Sequence, residues 1–192
     1  MTGSRDIAWR RLDVPGLELC HASLRAEDGG NAHGTMLLRE EGAWAAFRWH
    51  IAWDAAWAAR EVSVTSLAGE DERAIRLRAD GAGAWRDDAG ERPELAGCRD
   101  ADLGASPFTN TLQLRRLALS PDESAEIEVA WLPLPELAVR RTRQRYTCLA
   151  RAPSGAAFWR FEDEAGTRIE GIRTDPDGLV TLYPDLFERV DP

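Results

Sequence analysis

The chain has 192 residues, with 24 basic and 33 acidic side chains and a formal net charge of −9, which disfavours duplex nucleic acid, whose nonspecific affinity depends on clustered cations. That length and a hydrophobic fraction of 44% support one domain with a buried core and argue against disorder, and no stretch of roughly 18–20 apolar residues offers an integral membrane segment. An apolar leader is lacking and the three cysteines are widely separated without a CxxC, so a soluble cytoplasmic protein with reduced thiols, no metal site and no cofactor is expected.

In chain order, Ile7 and Trp9 alternate ahead of the Pro15-Gly16 turn, and Leu17 and Leu19 open a second alternating segment. The turn residues 28–31 and 41–42 bracket a third segment, His33 to Glu40. Residues 44–60 fit two patterns. Trp49, Trp53 and Trp57 lie four apart, as on a helix face, while Phe47, Trp49, Ile51 and Trp53 share one strand parity and Arg48 and His50 the other. Val62 and Val64, then Ile75 and Leu77, alternate as strands. Gly81 and Gly83 flank a turn before Trp85 and the loop at residues 87–90.

Residues 97–119 depart from this simple alternation. Asp100 and Asp102 would share a strand face, and Thr109-Asn110-Thr111 suits backbone capping in a turn. Leu112 and Leu114 change parity to Leu117 and Leu119 across Arg115-Arg116, which implies a bulge or a helical turn. Ile127, Val129 and Trp131 give a clean strand ended by Pro133 and Pro135. From Val139 to Leu149 both parities are polar, so a dry core is not expected there. Residues 158–162, 168–173 and 179–183 read as strands, and residues 184–187 as one helical turn. About ten strands and little helix indicate a mainly β fold, a curved antiparallel sheet or open barrel.

Catalytic templates are sparse. His21, His33 and His50 lie in separate segments, Cys20 and His21 would face opposite ways, and no nucleophile elbow, phosphate loop or HExxH occurs. Asp100 and Asp102 could split their pKa values or hold a cation; pairing with Arg115, Arg116 or Arg145 is the structural alternative. The eight tryptophans serve either a core or an apolar, sugar-stacking cavity wall.

The motifs GCRDADLGASPFTNTLQLRRLAL, VAWL, QRYTCLA and DPDGLVTLYPDLF resemble a bacterial family named putative glycolipid-binding, and WDAAWAAR, with Asp54, Trp57 and Arg60, extends the likeness. Gln113 stands where that family tends to have proline, and Cys148 where it has arginine. The resemblance implies a single half-barrel similar to bacterial lipoprotein carriers, with strand over Phe47 to Trp53. It points to non-catalytic binding of an amphipathic small molecule or glycolipid. The expected polar contacts are Asp100, Asp102, Asn110, Arg115, Arg116, Gln144, Arg145, Tyr146 and Arg60, and the expected apolar wall is Trp49, Trp53 and Trp85. The competing readings are a small hydrolase or isomerase using Asp100 or Asp102 as acid/base beside Tyr146 or an arginine, and a self-associating scaffold.

Overall fold

The computed structural model describes residues 3–24, 28–40, 42–67 and 73–190. Its first half is a meander: β1 (Gly3–Arg11), β2 (Gly16–Leu24), β3 (Gly30–Glu40), β4 (Ala43–Trp53), β5 (Ala59–Ser66), β6 (Ala74–Ala79) and β7 (Trp85–Arg86). The chain then crosses to the opposite edge as β8 (Asp100–Leu103), forms helix α1 (Phe108–Leu117), and returns strand by strand. The returning strands are β9 (Ser124–Leu132), β10 (Arg140–Arg151), β11 (Ala157–Asp163), β12 (Arg168–Thr174), β13 (Val180–Tyr183) and β14 (Phe187–Val190). β14 pairs with β1, which joins the two halves into one sheet of fourteen strands among the described residues. Every ladder is antiparallel except the edge pair β8–β9.

The sheet curls until its edges are neighbours without forming a closing ladder. Two backbone bonds staple the gap: Gly97 N–H to Gly83 O and Ala59 N–H to Arg99 O, each 2.9 Å. Glycine is required at the first of these. Gly83 and Gly97 both have positive φ, and a Cβ on Gly83 would sit 2.9 Å from the Gly97 Cα. The result is an open barrel.

Strand alternation resolves the ambiguous Trp-rich stretch. Phe47, Trp49, Ile51 and Trp53 all face inward from β4, whereas Trp57 sits in the following turn at φ 63° and stacks on Trp53 with ring centroids 5.6 Å apart. On β2 the buried set is Glu18, Cys20, Ala22 and Leu24, and Leu17 and Leu19 point to solvent.

One open alternative is settled and two expectations change. Arg115 and Arg116 belong to the last turn of α1, so of the bulge and the helical turn it is the helix that forms, with Ala118 as its left-handed C-cap. Residues 184–186 form a turn into strand β14 instead of a helical turn. The inward face of β10 is buried after all: Gln144, Tyr146 and Cys148 are each at most 3% exposed. That strand tolerates burial because its polar side chains find partners, Tyr146 on α1 and Gln144 on β8.

Helix α1 plugs the interior of the curl. Residues Phe108 through Leu114 are all buried, on every side of the helix, so no amphipathic stripe exists to be read. Phe108 stacks on Trp49 at 5.6 Å and leans on Trp53 at 5.8 Å. Arg115 and Arg116 end the helix where cations favour its dipole. Among the described residues, no helix is long and apolar enough to cross a membrane.

Candidate functional site

The polar side chains of α1 meet those of β8 and β10 in a continuous buried network. Thr109 donates to Asp102 Oδ1 at 2.8 Å and Gln144 Nε2 donates to Asp102 Oδ2 at 2.7 Å. Asn110 Nδ2 donates to the Tyr146 phenol at 2.9 Å, and that phenol donates to Gln113 Oε1 at 2.8 Å. Gln113, which replaces the proline expected from the resemblance, thus supplies an acceptor that proline lacks. Alongside this network, Arg116 forms a bidentate pair with Asp100, 2.8 Å from Nε to Oδ1 and 2.5 Å from Nη2 to Oδ2.

Burial dominates the electrostatics. It raises the Asp102 carboxyl above its ordinary range, against the lowering effect of the Gln144 and Thr109 hydrogen bonds. Burial also raises Asp100, opposed by Arg116, and pushes the Tyr146 phenol well up, so it stays a neutral donor. Tyr146→Phe is expected to strand the Asn110 amide and the Gln113 carbonyl in a fully buried setting. A loss of about 2–3 kcal/mol in unfolding free energy follows, read by urea titration. A loss below 0.5 kcal/mol, roughly the level of a surface change, would mean the network contributes little.

Beside this network opens a cavity of about 280 Å³. Asp102, Asn110 and Gln144 form its polar floor, and Trp131, Phe161, Ile169, Tyr183 and Phe187 its apolar wall. Arg140 at the mouth lies over the Trp131 ring, 4.2 Å from its centroid. The loop between β11 and β12 completes the rim with Glu164, Ala165 and Thr167.

The other residues named from sequence lie elsewhere. Trp49 and Trp53 are core beneath α1, and Tyr146 is buried behind the cavity floor. Arg115 covers Trp57 at 4.8 Å. Arg145 is exposed and pairs with Glu126 at 3.2 Å. Arg60 and Trp85 line a second, more open groove of about 800 Å³. That groove is larger, but its Arg78 and Arg92 are held by Asp88 and Asp87, and Glu61, Asp80 and Glu91 share the lining, so it offers little net charge to a ligand. The smaller cavity gathers the buried polar groups and is the stronger candidate.

Sequence reasoning missed Glu18. The residue is 3% exposed, and its Oε1 accepts from Trp49 Nε1 at 2.8 Å and from Ser106 Oγ at 2.7 Å, while Oε2 is buried with no hydrogen-bond partner among the described residues. Ser106 also lines the cavity, so Glu18 supports its wall from behind. The available signal was its shared parity with Cys20, Ala22 and Leu24.

Comparison with known proteins agrees with this architecture. A crystallised DUF1089 family protein from Pseudomonas aeruginosa is 33% identical, with a TM-score of 0.77 over 89% of this chain and 92% of that one. A beta-barrel-like protein of domain of unknown function DUF1849 from Brucella abortus shares the fold at 13% identity, with a TM-score of 0.54 over 97% of this chain and 93% of that one. None of the curated proteins matches. The model of the family described as "Putative glycolipid-binding" matches residues 6–189, and the chain belongs to that family.

Proposed function

We propose that this protein binds a sugar-headed amphiphile, with the polar head in the cavity between α1 and strands β9 to β14. The observation that carries the reading is the convergence of Asp102, Asn110 and Gln144 with Trp131, Phe161 and Tyr183 around one opening. A carboxyl and two amides can bond several hydroxyls at once, and aromatic faces pack on the apolar face of a sugar ring. The family description supports the same ligand class.

Volume narrows the choice. At about 280 Å³ the cavity lies at the bottom of the usual range for ligand sites, roughly 300–1,000 Å³. It therefore takes a head group, and acyl chains run out along Leu186 and Phe187 toward the rim. The proposed contacts are thus a subset of the network, and Arg115, Arg145, Trp49 and Trp53 are assigned to scaffold. Native mass spectrometry on protein purified from its own host is expected to reveal a retained amphiphile. A lipid extract from that host should raise the melting temperature, and a null result in both experiments rejects the reading.

One observation favours catalysis as a second reading: Asp102 faces the cavity with a raised carboxyl pKa. Both of its oxygens already accept hydrogen bonds, which suits recognition better than proton transfer. Asp102→Asn separates the two readings, since an enzyme keeps its ligand and loses turnover.

A further inference from the structure

The protein's three histidines lie far apart in sequence, and the strand register lines them up. His21 on β2 pairs with His33 on β3, and His33 pairs with His50 on β4. Their neighbours Cys20, Ala32, Trp49 and Ile51 are buried, so the three imidazoles share the outer face of the sheet, opposite α1. The His21 and His33 rings are 5.3 Å apart between centroids. The side chains of His21 and His50 are 46% and 39% exposed, open to solutes.

A carboxylate flanks each end of the row. Asp6 Oδ1 is 2.5 Å from His21 Nδ1, and Glu61 Oε1 is 3.9 Å from His50 Nδ1. With Nδ1 of His21 donating to Asp6, the Ser4 hydroxyl donates to Nε2 at 3.3 Å, a long hydrogen bond that an incoming ion has to displace. Metal-binding histidines are oriented by this same carboxylate support.

We propose that His21, His33 and His50 form a chelating site for a divalent transition-metal ion of the imidazole-preferring class, namely copper, nickel or zinc. Opposed Cβ atoms on antiparallel strands are about 4.5–5.5 Å apart, and metal–imidazole bonds are about 2.0–2.1 Å. Neighbouring rings therefore reach one ion by rotation about their side-chain torsions. That rotation is required, since no three such groups already converge among the described residues. Nothing in this site depends on the cavity under α1.

The test uses untagged full-length protein, with Cu(II), Ni(II) and Zn(II) chlorides titrated separately by calorimetry near neutral pH. Saturable binding of one equivalent is expected for at least one ion, with none for Mg(II). His33→Ala should weaken binding at least about tenfold, and Asp6→Asn about tenfold at unchanged stoichiometry. The Cu(II) electron paramagnetic resonance spectrum should carry couplings from more than one imidazole nitrogen. His33 is on the exposed face, and a circular dichroism melt checks that its variant folds as the parent does. Absence of saturable binding, equal affinity in His33→Ala, or a spectrum without multiple nitrogens each overturns the proposal.

Discussion

Arg116→Met is expected to lower the unfolding free energy by about 3–5 kcal/mol, because it leaves the Asp100 carboxylate buried without its cation. Asp100 is 1% exposed, and the Arg116 side chain is 16% exposed. In a chain of this size each kcal/mol moves the melting temperature by about 2–4 °C, so a drop of roughly 10 °C is expected. The penalty should shrink toward acid pH, where protonation neutralises the stranded group. Replacing both partners with apolar residues, Asp100→Leu with Arg116→Met, should cost less than the single change, since a buried pair offsets much of its own desolvation. A double variant that loses more than Arg116→Met would show that the pair holds α1 by its specific geometry.

The second large effect concerns Glu18, whose carboxyl burial pushes up to about 8 from 4.5, with the Ser106 and Trp49 hydrogen bonds opposing. Between those two pH values the folded chain keeps a proton that the unfolded chain has released. Fewer protons bound on unfolding means that this contribution is present at low pH and is lost as pH rises from about 4.5 to 8. A shift of that size corresponds to on the order of 5 kcal/mol. Glu18→Gln, which stays neutral throughout, should flatten the decline measured by urea unfolding at several pH values. Asp100 and Asp102 are shifted the same way, so a residual slope should persist. Parallel curves for parent and variant would mean that Glu18 ionises freely in the folded state.

Much of the fold was legible because strand alternation survives wherever one face is apolar. Val62 and Val64, Leu77, and the Phe47, Trp49, Ile51 and Trp53 set all bury the side their parity indicates, with Ile75 partly buried beside them. The parity change at Arg115-Arg116 allowed a helical turn, but the extent of helix α1 was not legible, because TNTLQLRRL is surrounded by sheet and gains nothing from a polar stripe. β10 misled for a related reason. Its buried Gln144 and Tyr146 look solvent-facing until Asp102, Asn110 and Gln113 are placed opposite them. Leu17 and Leu19 concealed Glu18 by presenting the stronger apolar alternation on the exposed face. The histidine row depends on pairing register across three strands, which composition and local periodicity do not encode.

These particulars separate support from recognition. Asp100, Arg116, Gln113 and Tyr146 hold α1 in place, while Asp102, Asn110 and Gln144 also reach the opening beneath Trp131 and Arg140. The most direct test is a nuclear magnetic resonance titration with octyl glucoside, a single-tailed sugar amphiphile, kept below its micelle concentration. Amide shifts are expected to cluster at Gly104, Ala165, Ile169 and Tyr183, and Ala165→Trp at the exposed rim should weaken the response at least about tenfold, a cost of about 1.4 kcal/mol. Shifts confined to the outer face of the sheet, or an unchanged response in Ala165→Trp, would contradict head-group binding in this cavity.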